Sequence, residues 1–364
     1  MADEMKAAVL YGKQDVRIER LPVPLAGPGE LVVRVHATLT CGTDLKVYRR
    51  GYHAKMLQPP ISFGHELAGT VSQVGEGVTG FQKGDRVVAL NSAPCGACYF
   101  CRREQENLCD DLLFNNGAYA EYIRIPPRIV EKNTLQVPRH VPLEHAAMTE
   151  PLACVIQGMD ETAVRPGDQI VVIGAGPIGL MFVHLASLMG IDVISVVKRE
   201  EQVEIARSFG AKDVVQIASG KDVIASVRAL TPNGRGADAA IEAVASPEAW
   251  QWAIEMVRKG GTVNFFGGCE AGTVVRLDTN RLHYNSLSLR SSFHHRPSVC
   301  RRAFEWIASG QFASEKFLTG RAPLEQLVPV LDRMMHRSKK LSPGKVQVAD
   351  IKTAIFPGEV LLER

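Results

Sequence analysis

Long apolar runs are missing from this 364-residue chain. No stretch approaches the roughly 18 apolar residues that a helical bilayer span needs, so no membrane partner is expected. A strong charge of one sign is missing too. Forty-two Lys and Arg stand against 39 Asp and Glu, a formal net charge of +3. That balance gives no general pull toward nucleic acid or an anionic lipid surface, and no nucleic-acid partner is expected. The opening residues, MADEMKAAVLYGK, carry two acids and no apolar run of signal-peptide length, which makes the cytoplasm the expected location. Internal repeats and low-complexity segments are absent. Cysteine is scarce, eight in all. In a reducing compartment so few thiols do not build a disulfide scaffold, and a cluster of them points to metal binding or redox chemistry.

What is present has two textures. A chain this long exceeds one ordinary core, so two domains are expected. Up to about residue 150, runs such as GELVVRVHATLT (29–40), HELAGTVSQVG (65–75) and GDRVVAL (84–90) are β-branched, partly alternating and broken by Gly, Pro and Asp. They predict a β-rich barrel or sandwich. From Pro166 the chain alternates strand and helix five times. It begins with QIVVIGAG (169–176) and PIGLMFVHLASLMG (177–190), passes a predicted helix PEAWQWAIEMVRKG (247–260), and ends with GTVNFFGG (261–268). This is the pattern of a parallel, doubly wound α/β sheet. The segments after residue 290 include helices around SVCRRAFEWIASG and LEQLVPVLDRMM and a strand GKVQV. They are expected to return to the first domain.

Gly174, Gly176, Pro177, Ile178 and Gly179 lie in a G-x-G-x-x-G run that follows an apolar strand and opens a helix. In that context the glycines permit a tight turn, close backbone approach to a pyrophosphate and close helix packing, while the helix N-terminus offers free N–H groups. An NAD site usually has an acid about 20 residues on. Here Val197 is followed by Lys198 and Arg199, two cations suited to a 2′-phosphate, so NADP(H) is favoured over NAD(H). The alternative is that both are ordinary surface charges and that Glu200 or Glu201 serves an NAD ribose.

Half of the cysteines, Cys95, Cys98, Cys101 and Cys109, fall in one loop. Four thiolates at such spacing can close tetrahedrally around a structural Zn²⁺ with no open position; a disulfide pair or an iron–sulfur cluster is the alternative. Upstream, Cys41 precedes Gly42-Thr43-Asp44, and His65-Glu66 follow about two dozen residues later, with Glu150 further on. One thiolate, one imidazole and one or two carboxylates are acceptable zinc ligands that leave room for water or substrate. Each taken singly also fits a plainer role: a small buried thiol, a strand histidine, or acids facing water.

The motifs CGTD (41–44), FGHELAGTV (63–71), GDRV (84–87), the four-cysteine loop, EPL (150–152) and GAGPIG (174–179), in this order, resemble the zinc-dependent medium-chain dehydrogenase/reductases, the superfamily of alcohol, sorbitol and threonine dehydrogenases. The resemblance implies a GroES-like catalytic domain from residues 1–152 and 291–364 around a Rossmann domain of residues 153–290. It implies two Zn²⁺ per chain, a catalytic ion on Cys41, His65 and Glu66 and a structural ion on the cysteine loop. Glu150 stands near a family position for a further ligand, bound directly or through water, with Cys154 a less favoured substitute. Asp44 matches a carboxylate that orients His65, and Thr43 matches the hydroxyl that begins a proton relay. The implied activity is hydride transfer between a secondary alcohol of a polyol, sugar or cyclitol and the nucleotide. An amino-alcohol such as threonine or a simple alcohol is the alternative substrate, and a zinc-free quinone or enoyl reductase is the alternative of a different class. Tyr48, Arg49 and His53 offer polar contacts suited to a hydroxylated substrate, with a solvated surface loop as the equal alternative, and Phe293, His294 and His295 are candidates to line the cleft near the nicotinamide. A homodimer or homotetramer is implied, with the apolar strand before Cys269 as a pairing candidate.

Overall fold

A computed structural model describes residues 3–52, 57–218, 220–336 and 350–358. The chain divides into two compact units, Met1–Ala153 with His295–Arg364, and Cys154–His294.

The first unit is β-rich. A mixed sheet of seven strands runs in the order Thr134–Gln136, Arg86–Ala89, Leu67–Val74, Leu31–Leu39, Lys352–Phe356 and Leu318–Pro323, with Tyr122–Ile125 also paired to Leu31–Leu39. A second sheet joins Asp15–Pro22, Glu4–Gly12 and Ile61–Ser62. Alternate β-branched residues of these strands, among them Val33, Val35, Val71 and Val87, turn inward and bury one core. The C-terminal strand enters that sheet between two others, with Ala354 opposite Leu39 and Ile355 opposite Thr38. This position sets Lys352 in the interior. The expected strand GKVQV lies outside the described residues.

The second unit is a six-stranded sheet, parallel throughout, in the order Asp213–Gln216, Asp192–Val197, Gln169–Ile173, Ala237–Glu242, Val257–Phe265 and Ser288–Ser291. In order of sequence that is 3-2-1-4-5-6, the doubly wound arrangement whose switch point lies between Gln169–Ile173 and Ala237–Glu242. Its central strands Gln169–Ile173 and Asp192–Val197 are mainly apolar and buried, as expected where helices cover both faces of a parallel sheet. The helix expected over 247–260 stops at Met256, and Val257 is already extended. Close backbone approach sets that end: a Cβ on Gly236 would stand 2.7 Å from the Met256 carbonyl oxygen. The strand before Cys269, expected to pair subunits, is instead flanked on both edges, by Ala237–Glu242 and Ser288–Ser291. Asn264, buried on that strand, donates to the Gly158 carbonyl and to Thr162 Oγ1 at 2.9 and 2.8 Å. Its amide carbonyl accepts from Ser292 Oγ at 3.2 Å. No helix among the described residues is long and apolar enough to cross a membrane.

Candidate metal centres and nucleotide site

Cys41 ends an extended segment and N-caps the helix Gly42–Arg50. Its sulfur accepts the Thr43 N–H at 3.4 Å, and Asp44 Oδ2 accepts the Cys41 N–H at 3.0 Å, closing a reciprocal capping box. The helix terminus therefore holds both the thiol and the carboxylate in place. Asp44 is buried, with Oδ1 3.1 Å from His65 Nδ1 and Oδ2 2.6 Å from the Tyr119 hydroxyl, which donates to it. A carboxylate on Nδ1 fixes the ring tautomer and leaves Nε2 a more basic donor. Burial disfavours the charged imidazole, but Asp44, followed by Cys41, outweighs it and holds the His65 pKa well above its ordinary value.

Gly64 makes the next step of the chain possible. Its φ is +93°, and a Cβ there would meet the Tyr119 ring at 2.5 Å. Only glycine lets the chain pass that ring and deliver His65 and Glu66 side by side. One donor atom from each of Cys41, His65 and Glu66 falls within 4.8 Å of the others. A thiolate, an imidazole and a carboxylate form a donor set that fits Zn²⁺ and leaves a position open.

Glu66 has a partner that the sequence did not reveal. Lys352 Nζ lies 2.9 Å from Oε1 and 2.7 Å from Oε2, with both residues buried. Burial pushes the Glu66 carboxyl up to about 7, Lys352 pulls it down, and the nearby Glu150 adds to the rise. Burial also works against the Lys352 ammonium, but Glu66 keeps it above its ordinary pKa.

Glu150 is not among the three residues whose donor atoms lie within 4.8 Å of one another, but its charge acts on Glu66. It is buried in the first turn of the helix Thr149–Thr162, with Oε1 3.8 Å from His295 Nε2. Cys154, half-buried further along that helix, is likewise outside the cluster. His295 is buried and bonded at both nitrogens, Nε2 to Asn91 Oδ1 and Nδ1 to Cys300 Sγ, each at 3.2 Å. Since Asn91 Oδ1 only accepts, Nε2 carries a proton. Burial, and then the charge on His65, bring its pKa down to about 3. Of the other residues expected to border the substrate, Tyr48 is buried and donates to Asp332 Oδ1 at 3.0 Å, which makes it part of the core. Arg49 and Phe293 are exposed, His294 is half-buried with a φ of +62°, and His53 lies outside the described residues.

The cysteine loop winds through two short 3₁₀ turns, Cys101–Arg103 and Glu106–Leu108. The sulfur of Cys98 is 3.5 Å from that of Cys101 and 3.9 Å from that of Cys109, and Cys95 is 3.9 Å from Cys101. Four ligands at about 2.3 Å from a tetrahedral ion stand about 3.8 Å apart, so the loop has the dimensions of a closed zinc site. A disulfide needs about 2.05 Å, and all four thiols are free. Backbone N–H groups, those of Cys101 and Asp110, bring the Cys98 thiol down to about 6, whereas burial and the neighbouring Cys98 push Cys101 up to about 12.

In the nucleotide unit, Gly174 has a φ of +106° and Val244 would stand 2.7 Å from a Cβ there. A Cβ on Gly179 would fall on the Gly174 carbonyl oxygen, while one on Gly176 would point into open space. The first and third glycines thus serve the fold, and the middle one clears room for a ligand. The helix Pro177–Leu188 has no side-chain N-cap, so its first N–H groups remain available to a phosphate. Gln202, unnoticed in the sequence, accepts from the N–H groups of Lys198 and Arg199 at 3.2 and 3.0 Å and donates to the Ala175 carbonyl at 3.1 Å. It ties the loop after Val197 to the glycine turn. Lys198 is exposed, and Arg199 Nε pairs with Glu201 Oε1 at 2.7 Å.

Two family models match the chain: the alcohol dehydrogenase GroES-like domain over residues 27–139, and the zinc-binding dehydrogenase domain over residues 177–309. The first contains both thiol sites, and the second begins at Pro177, within the glycine turn. The chain belongs to the zinc-dependent medium-chain dehydrogenase family, a family of oxidoreductases, and combines a GroES-like unit with a Rossmann unit. It is 31% identical to the sorbitol dehydrogenase of Bacillus subtilis (strain 168) over 91% of its own length and 94% of that protein's. It is also 31% identical to the L-threonine 3-dehydrogenase of Bacillus licheniformis, over 90% of the chain and 94% of that enzyme. A solved structure from Sinorhizobium meliloti 1021, provisionally a zinc-binding dehydrogenase and bound to NADP, superposes with a TM-score of 0.85. It is 28% identical and is matched over 98% of this chain and 100% of its own.

Proposed function

We propose that this chain is a zinc-dependent dehydrogenase that interconverts a secondary alcohol of a polyol, sugar or cyclitol and its ketone, with NADP(H) favoured over NAD(H). The observation that carries the reading is the convergence of Cys41, His65 and Glu66, with Asp44 behind the imidazole. Zinc, when bound, supplies Lewis-acid polarisation of the substrate oxygen, and the nicotinamide supplies the hydride acceptor or donor. The chain's own residues do the rest. Cys41 and His65 are fixed by the helix N-terminus and by Asp44. Lys352 keeps a positive charge against Glu66. Thr43 Oγ1 accepts the substrate hydroxyl proton and passes it outward. Glu150 contributes a carboxylate at the site, directly or through water. A structural zinc on Cys95, Cys98, Cys101 and Cys109 holds the loop closed. The NADP preference rests on Lys198 and Arg199. A cytoplasmic homodimer or homotetramer completes the proposal.

The similarity to the Bacillus licheniformis enzyme favours an amino-alcohol as the second reading. The test combines elemental analysis with a substrate screen. Two zinc ions per chain and turnover of a polyol, sugar or cyclitol with NADPH or NADP⁺ are expected, with activity lost on chelation. Zero zinc with full reductase activity on quinones or enoyl substrates would overturn the proposal, and turnover confined to threonine-like substrates would replace it with the second reading.

A further inference from the structure

At the amino ends of the parallel strands lies a cleft of about 370 Å³ lined by Arg228, Arg235, Arg258, Lys259, Arg281 and Asn285. These residues come from four separate places: the last turn of the helix Val223–Ala229, the turn before Ala237–Glu242, the start of Val257–Phe265, and the helix Thr279–Tyr284 with its C-cap. Five cations therefore share one concavity in a chain whose formal net charge is only +3. No carboxylate lines it among the described residues. Among the described residues the acid engaged with the group is Asp238, whose Oδ1 is 2.6 Å from Arg258 Nε and on which the charge of Arg235 also acts.

Backbone carbonyls hold three of the guanidinium groups. Arg228 donates to the Glu255 and Arg235 carbonyls at 3.1 and 2.9 Å, Arg281 to that of Glu255 at 2.9 Å, and Arg258 to that of Lys259 at 2.8 Å. Carbonyls orient a guanidinium without cancelling its charge. Arg228 and Arg281 thereby cap the last turn of the helix Pro247–Met256, a structural role that accounts for two of the five. It does not account for Arg235 and Lys259. Both are exposed, and neither side chain has an ion pair or hydrogen bond among the described residues. Like charges gathered in this way repel unless an anion joins them.

We infer that this cleft binds a compact anion carrying two or more phosphoryl groups. Phosphoryl oxygens match the forked donors of arginine, and several of them are needed to balance the uncompensated charge. The cleft is the size of a small-molecule pocket. The glycine turn follows the carboxyl end of Gln169–Ile173, so the two sites lie at opposite ends of the sheet, roughly 17–20 Å of strand apart. Such an anion would bind together with the dinucleotide and not in its place.

The test is isothermal titration of the full-length, NADPH-saturated protein with inorganic tripolyphosphate, at low and at raised salt. Saturation with NADPH occupies the phosphate-binding turn. Binding is expected at low salt, weakening as salt rises. In Arg235→Ala/Lys259→Ala the dissociation constant should rise about tenfold or more, with the thermal midpoint and NADPH affinity unchanged because neither side chain supports the fold. Charge reversal, Arg235→Glu/Lys259→Glu, should abolish binding. Absence of binding, binding undiminished in either variant, competition with NADPH, or equal affinity for citrate would overturn the assignment.

Discussion

Lys352→Met removes a buried charge while keeping the length of the side chain, and its consequence falls on Glu66. That carboxyl is fully buried and would lose a partner at 2.7 and 2.9 Å. An unpaired charge at such a site costs about 3–5 kcal/mol, and Glu66 escapes part of that cost by taking up a proton. Its ordinary value is 4.5, and burial pushes it to about 7 even with the lysine present; without Lys352 it goes higher. The folded pKa is thus raised above the unfolded one, so the folded form retains a proton that the unfolded chain releases. Stability from this group is therefore lost as pH rises from 4.5 toward the folded value. At pH 7 the retained proton costs about 3.4 kcal/mol, and near pH 5.5 about 1.4 kcal/mol. The double variant Lys352→Met/Glu66→Gln has the same shape and nothing to titrate. Urea unfolding of the two variants, both stripped of metal with a chelator, should show the double variant more stable by about 3.4 kcal/mol at pH 7, with the gap closing to about 1.4 kcal/mol near pH 5.5. A gap that is absent, or that ignores pH, would refute the claim that Lys352 exists to compensate a buried carboxylate.

Three further outcomes are expected. Gly176→Ala should fold and bind NAD(P)H about tenfold or more weakly by fluorescence, because its Cβ enters the space left for the pyrophosphate; Gly179→Ala should fail to give a stable fold by circular dichroism, since its Cβ meets backbone. Asn264→Ala should lower stability by about 1–3 kcal/mol in urea unfolding, because buried Thr162 Oγ1 loses a donor and the Ser292 hydroxyl its acceptor. Asp238 is held below its ordinary pKa because the Gln169 N–H and the Arg258 guanidinium outweigh burial. Its contribution to stability is present above the unfolded value of 3.8 and is lost as pH falls through the lower folded value. Asp238→Asn should accordingly be less stable at neutral pH and show a shallower acid transition than the parent.

The parts of the site that were legible in advance are those encoded over a few consecutive residues. A glycine triplet between an apolar strand and a helix specifies a turn and an N-terminus whatever surrounds it. Four thiols within fifteen positions can meet without help from the rest of the chain. The capping box of Cys41 and Asp44 spans only four residues but was not read from the sequence. Errors arose where a local pattern was overruled from a distance. Tyr48 looked like a polar group for a substrate, yet Asp332 draws its hydroxyl into the core. The strand before Cys269 was a candidate for subunit pairing on its apolar character, yet both of its edges are taken within the sheet. The helix after Pro247 ran on in the sequence past Met256, where the chain in fact turns into a strand.

From residue order alone came the two-part architecture and the family, through textures and motifs ordered along the chain, and the glycine turn and the thiol loop, each of which depends on spacing along a short piece of chain. Tertiary structure alone decided which charges face one another. Lys352 reaches Glu66 across 286 positions only because its strand pairs beside Leu31–Leu39, and Tyr119 reaches Asp44 across 75. Five scattered cations share a cleft only because the amino ends of parallel strands gather at one end of a sheet. Burial turns such encounters into strong interactions, and burial is a property of the packed chain that no local run of residues contains.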